Sequence, residues 1–257
     1  MTLTVTLLGC GTSSGVPRIG NDWGQCDPAD PRNRRSRAAL LVASDTTRIL
    51  IDTGPDMREQ LLAAGVGTVD AVLWTHDHAD HSHGIDDLRQ IFHNRGTPIP
   101  AFARPGTLAS LGRRFGYAFE GKHGYPATLD AAPLADRQRI GDIDVAVVDQ
   151  PHGGTRSAGL RFDHGGYRIG YATDFNVMTD DMTALYQDLD LWIVDALRRA
   201  PHPSHPTLAQ TLDWIAAFGP GEAVLTHMDQ SLDYAALMAE LPAGVVPGHV
   251  GLVRTFG

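Results

Sequence analysis

The sequence predicts an α/β layered domain. Short runs rich in Val, Leu and Ile alternate with segments of helical spacing, and ionisable residues collect where the apolar runs end. At 257 residues the chain is long enough for one large core. No low-complexity linker divides it, so residues 1–257 are expected to form one domain.

The elements follow in order. Strands are expected at 2–8 ("TLTVTLL"), 38–43 ("AALLVA"), 48–52 ("RILID") and 69–75 ("VDAVLWT"). Between the first two lies "GCGTSSG", which lacks the lysine of a phosphate-binding P-loop; its glycines suit close backbone approach. Residues 56–64 have helical spacing, and Gly65 suits the stop. A helix at 84–94 and a strand at 99–103 come next. Strands at 142–149, 157–163, 167–174 and 188–196 continue the pattern, and helices at 207–218 and 232–241 enclose a buried strand at 223–227. "TRILIDTGPDM" (47–57) and "YRIGYATDFNVM" (167–178) echo each other, each carrying Arg-Ile, an apolar strand and an aspartate at the strand's end.

Charge and cysteine content narrow the function classes. A formal charge of −9 supplies no general positive field for long nucleic acid or an anionic membrane. The N-terminus "MTLTVTLLGCG" has no basic region typical of a signal peptide, and no segment has the apolar length of a membrane span, so a cytoplasmic location is expected. The two cysteines, Cys10 and Cys26, fit a reducing compartment and are expected to be free thiols.

The segment "THDHADH" (75–81) carries the chemistry. His76, His78, Asp80 and His81 stand together just past an apolar strand, and in a turn entering a helix they can converge on one point. Imidazole with carboxylate suits Zn²⁺, Mn²⁺ or Fe. Further donors should come from distant strand ends, where His152, Asp174 and His227 each close an apolar run.

With "LGCGTSSGVP", "LIDTGPD", "THDHADH", "PHGG", "YATD" and "LTH" in this order, the chain resembles the metallo-β-lactamase superfamily. The resemblance implies a four-layer αβ/βα sandwich with a binuclear centre at one edge. It implies that His76, His78 and His152 hold one divalent ion, that Asp80, His81 and His227 hold another, and that Asp174 bridges them. Asp52 would orient the ligands by hydrogen bonding. Two ions, Zn²⁺ or Mn²⁺, would generate hydroxide from a shared water and favour hydrolysis. Asp174 speaks against a β-lactamase, where cysteine usually stands.

The two ends of the chain, "LGCGTSSGVPRIG" and "DALRRAPHPSHPTLAQTLDW", are similar to the branch containing a cyclic-phosphate phosphodiesterase and tRNase Z. That similarity implies a general acid or phosphate contact shortly before the helix at 207–218. His205 is the first candidate and His202 the second; Asp80 completes the catalytic candidates. The loop "IGNDWGQCDPADPRNRRSR" offers Cys26 alone, which argues against a separate structural zinc. In the same loop Arg32, Arg34, Arg35 and Arg37 could hold a substrate phosphate. A binuclear phosphodiesterase acting on a small or cyclic phosphate ester is the leading expectation. A thioester or lactone hydrolase and a non-catalytic metal-binding protein compete with it. The expected partner is a small phosphate ester, with no long nucleic acid and no membrane; a homodimer is compatible.

Overall fold

The computed structural model describes residues 2–257. Its first sheet contains β1 (Leu3–Gly9), β2 (Ala39–Ser44), β3 (Arg48–Ile51), β4 (Ala71–Trp74), β5 (Ile99–Ala103) and β6 (Leu129–Pro133). The second contains β7 (Arg137–Ile140), β8 (Ile143–His152), β9 (Thr155–His164), β10 (Tyr167–Ala172), β11 (Leu191–Asp195), β12 (Glu222–Thr226) and β13 (Val245–Pro247). The last strand, β14 (Leu252–Phe256), returns to the first sheet beside β1. Both sheets have seven strands, in the orders β14-β1-β2-β3-β4-β5-β6 and β13-β12-β11-β10-β9-β8-β7.

Strand alternation explains the layers. In β3, Ile49 and Ile51 face the core between the sheets while Leu50 faces outward; in β4, Ala71 and Leu73 point in while Val72 and Trp74 point out. The inter-sheet core joins these residues to Val145, Leu160, Phe162 and Tyr171 of the second sheet. The outer face of the first sheet is covered by α1 (Met57–Ala63), α3 (Leu88–Arg95) and α4 (Pro105–Glu120), through Leu61, Ile91 and Leu111. The second sheet is covered by α5 (Asp180–Leu185), α6 (Leu208–Phe218) and α7 (Tyr234–Glu240), through Met182, Ile215 and Leu237. This is the α/β sandwich of helix, sheet, sheet and helix layers.

The sequence echo extends to the topology. β2–β3 and β9–β10 are antiparallel, β3–β4 and β10–β11 parallel, and the parallel run continues through β5–β6 and β12–β13. Parallel strands deliver their C-terminal ends to one edge, where a site can be assembled.

Several elements differ from the sequence reading. The 16-residue α4 escapes it because Gly106, Gly112 and Gly116 dilute its helical pattern, although Pro105 is well placed in the first turn. The edge strands β6, β7, β13 and β14 are short or weakly apolar, so they carry little periodic signal. The expected helix at 84–94 begins as a 3₁₀ turn, Ile85–Asp87, before α3. No helix among the described residues is long and apolar enough to cross a membrane.

Candidate metal centre

Strand ends and one short helix build the cluster. His76 and His78 follow β4, Asp80 and His81 lie in α2 (Ala79–Ser82), and His152 is the last residue of β8. Asp174 and His227 stand just beyond β10 and β12. Asp52, Asp174 and His227 take left-handed backbone angles, with φ of 65°, 57° and 57°. Non-glycine residues seldom adopt that region, and such strain concentrates at functional sites. Here it turns each side chain out of its strand toward the sheet edge.

The sequence candidates converge on Asp174. His76, His78, His152 and Asp174 offer donor atoms within 4.8 Å of one another, as do Asp80, His81 and His227. Asp174 Oδ1 is 3.8 Å from His76 Nε2 and 3.5 Å from His152 Nε2. Its Oδ2 is 3.1 Å from His81 Nε2 and 3.5 Å from His227 Nε2. Asp80 Oδ2 lies 3.3 Å from His81 Nε2 and 3.6 Å from His227 Nε2, and His152 Nε2 lies 3.3 Å from His78 Nδ1. A tetrahedral ion with bonds of about 2.0–2.2 Å needs donors roughly 3.3–3.6 Å apart. The observed spacings bracket that range. Buried nitrogens that would otherwise be orphaned, His76 Nε2, His81 Nε2 and His227 Nε2, have no hydrogen-bond partner. The donor set therefore fits divalent cations.

Residues behind the cluster select which nitrogen is presented. His81 Nδ1 donates to Asp52 Oδ2 at 2.7 Å, and His152 Nδ1 donates to the Ser204 carbonyl at 2.9 Å. His76 Nδ1 donates to Thr75 Oγ1 at 3.0 Å, and that hydroxyl donates onward to Asp52 at 2.9 Å. With Nδ1 carrying the proton, each ring presents an Nε2 lone pair to the cluster. Asp52 also accepts the Thr75 backbone N–H at 2.8 Å, so one buried carboxylate holds two of the imidazoles in place.

Without an ion the cluster balances charge by sharing protons. Burial raises Asp174, but His227, His81 and His76 outweigh it and hold the carboxyl well below the ordinary range. Burial also raises Asp80, and His81 and His227 bring it down. The converse holds for the imidazoles: burial lowers His81, yet Asp174, Asp80 and Asp52 raise it well above 6.5. His227, pulled down by burial, is pushed up to about 9 by Asp174 and Asp80. His76 and His152 fall, chiefly through burial.

The remaining candidates fall into two groups. His205 reaches the cluster: Nε2 is 3.8 Å from Asp174 Oδ1, and its ring stacks on His227 with centroids 4.7 Å apart. His202 is further out, half-buried, with Nδ1 accepting from the Ser204 hydroxyl at 3.2 Å. The arginine loop does not join the cluster. Arg32 pairs with Asp30 at 2.7 Å and lies over the Tyr234 ring, while Arg34 lies over Trp23. Arg35, expected as a phosphate contact, is instead buried, and its guanidinium donates to the carbonyls of Asp229 at 3.0 Å and Leu232 at 2.5 Å. Those carbonyls belong to the loop following His227, so Arg35 fastens that loop to the N-terminal one. Arg37 pairs with Asp56 at 3.1 Å. Gly9 and Gly11 do serve close backbone approach: a Cβ would stand 1.9 Å from the Arg37 carbonyl and 2.7 Å from that of Arg35. Cys10 and Cys26 are buried free thiols.

Sequence reasoning overlooked Thr75, Ser204 and Asp195. Asp195 Oδ2 accepts from His205 Nδ1 at 2.8 Å and from the Asp174 backbone N–H at 2.9 Å. Its signal was available, since "LWIVD" ends an apolar strand in an aspartate like the other candidates. The Ser204 carbonyl leaves no trace in sequence.

Comparison with known proteins agrees with this fold. The profile of the Beta-lactamase superfamily domain matches residues 47–228. A crystal structure described as a new diphosphatase from the PhnP family superposes with a TM-score of 0.91 at 34% identity, covering 100% of this chain and 98% of that one. An octanoyltransferase of Porphyromonas gingivalis is 36% identical over 264 residues, 96% of this chain but 50% of that protein. A ribonuclease Z of Bradyrhizobium sp. is 31% identical over 138 residues, 51% of this chain and 46% of its own length. The chain thus spans about half the length of these two curated relatives.

Proposed function

Because the chain belongs to the metallo-β-lactamase superfamily, we propose that it is a metal-dependent phosphodiesterase acting on a small or cyclic phosphate ester. The observation that carries this reading is the Asp174 carboxylate, whose two oxygens face two separate groups of histidines. The superfamily fold usually binds divalent metals. His76, His78, His152 and Asp174 would hold one ion, and Asp80, His81, His227 and Asp174 the other, Zn²⁺ or Mn²⁺. When bound, two such ions lower the pKa of a shared water and neutralise charge on the phosphoryl oxygens.

The chain's own residues supply the rest. Asp52 and Thr75 keep His76 and His81 in the ligating tautomer. Asp195 fixes His205 through Nδ1 and leaves Nε2 facing the cluster, where it can donate a proton to the departing alkoxide. His78 is exposed and Asp80 partly so, which gives substrate an approach from that side. The likeness to a diphosphatase over the whole chain and to a ribonuclease Z over half of it supports attack at phosphorus.

A second reading, hydrolysis of an acyl thioester, is favoured by one observation, the octanoyltransferase relative, whose name covers a protein twice the matched length. Turnover of bis-p-nitrophenyl phosphate against an octanoyl thioester, by metal-loaded protein, decides between them. Hydrolysis of the phosphodiester alone is expected; hydrolysis of the thioester alone would reverse the assignment.

A further inference from the structure

The cluster imidazoles are not equally supported. His76, His81 and His152 are held from behind by hydrogen bonds to Thr75, Asp52 and the Ser204 carbonyl. His227 is stacked between the rings of His81 and His205, with centroids 5.7 and 4.7 Å away. His78 has neither kind of support. It is exposed, turns Nδ1 toward His152, and makes no hydrogen bond through Nε2 among the described residues. Its ring leans on those of His76 and His152, which are ligand candidates themselves.

The position of His78 therefore rests on its backbone, and that backbone is held from α4. Arg114 Nη2 donates to the Asp77 carbonyl at 2.6 Å and to Asp77 Oδ2 at 2.7 Å, and the Ser110 hydroxyl donates to the same carboxylate oxygen. Ser110 and Arg114 stand four residues apart, so both lie on one face of the helix. The Asp77 carbonyl and the His78 N–H belong to one planar peptide unit, so a bond to the first fixes the orientation of the second. Beyond α2, Arg114 Nη1 donates to His83 Nε2 at 3.3 Å, and the His83 ring packs edge-on against Phe115. Arg114 thus grips the histidine loop on both sides of His78, Asp80 and His81. α4 is itself anchored by Leu111 and Ala118 in the outer core of the first sheet.

From these contacts we propose that Arg114, assisted by Ser110, is a positioning residue for the metal centre: it clamps the Asp77–His78 peptide and so keeps the least supported imidazole in place as a ligand. The inference rests on the metal-dependent reading of the cluster. It also gives Asp77 a role, since its carboxylate stands between two ligand candidates in sequence yet is bound by α4.

The test is stepwise competition between the protein and a chelator for Zn²⁺, with His78→Ala marking which step belongs to the group of His76, His78 and His152. Outer-shell partners of ligands typically contribute 10–100-fold to metal affinity. The Arg114–Asp77 pair is partly open to water, its side chains 35% and 29% exposed, which places Arg114→Ala near the lower figure, about tenfold, on that step. Arg114→Lys should recover most of the loss, because an ammonium group has donors enough for both the Asp77 carbonyl and its carboxylate. Ser110→Ala, which leaves Arg114 in place, should show a smaller loss on the same step. Arg95→Ala is the matched control: Arg95 likewise donates to a carbonyl, that of Val69, and pairs with Asp70, but at the opposite end of β4, so both affinities should stay as they are. Wild-type affinity in both Arg114→Ala and Ser110→Ala, equal losses on the two steps, or as large a loss in Arg95→Ala overturns the clamp and leaves the metal-dependent reading standing. A wild type that binds no Zn²⁺ overturns both.

Discussion

Replacing Asp52 by Asn tests how the fold sets the histidine tautomers. Asp52 is fully buried and accepts from the Thr75 N–H at 2.8 Å, from the Thr75 hydroxyl at 2.9 Å and from His81 Nδ1 at 2.7 Å. Asn has the same shape and tolerates the φ of 65°, so the backbone keeps its course. Its carbonyl can still accept the Thr75 N–H. Its amide group, however, would bring a donor against the Nδ1–H of His81. His81 relieves the conflict by moving its proton to Nε2, which then has no lone pair for a cation. Loss of such an orienting partner typically costs 10–100-fold in metal affinity, roughly 1.4–2.7 kcal/mol. The deficit should fall on the group formed by Asp80, His81 and His227. His76 leans on Asp52 only through Thr75, so its group should lose less. Stepwise competition between protein and a chelator for Zn²⁺ would resolve the two affinities. Unchanged affinities, or equal losses at both positions, would refute the tautomer argument.

Other expectations follow from the same geometry. His205→Ala should lower kcat on an alkyl or ribose-derived phosphodiester by roughly 10²–10⁴-fold, with metal content intact; p-nitrophenyl esters, whose leaving group needs no proton, should suffer far less, and equal losses would make His205 a phosphate contact. Gly54→Ala should weaken metal binding at Asp80, because a Cβ there would stand 2.2 Å from the Asp80 carbonyl, and retained affinity on titration would contradict this. The metal-free protein should melt at lower temperature as pH rises. His227 has its folded pKa raised from 6.5 to about 9, so its stabilisation is complete below 6.5 and is lost as pH climbs through about 9; a melting temperature rising across that interval would contradict the charge arrangement. Metal binding must expel those protons, so calorimetry in buffers of different ionisation enthalpy should show proton release at neutral pH.

The centre was legible in sequence because each donor ends an apolar strand or crowds into "THDHADH", and parallel strands bring such ends together. His76, His78, Asp80, His81, His152, Asp174 and His227 are found together for that reason. The Arg32–Arg37 loop was harder to read, because residue type cannot tell a guanidinium reaching for phosphate from one capping backbone carbonyls; Arg35 does the latter. Support from a carbonyl, as Ser204 gives His152, carries no side-chain signature. α4 escaped notice because its glycines weaken the helical pattern, and with it went the contacts that Ser110 and Arg114 make with Asp77.

The central claim is that two cations share Asp174. Elemental analysis of protein purified from metal-replete medium, alongside an Asp174→Ala variant, tests it most directly. About two transition-metal ions per chain are expected in the wild type, with occupancy and phosphodiesterase activity lost together in the variant. A wild type active at a stoichiometry near zero, or a variant that keeps both ions, would contradict the account.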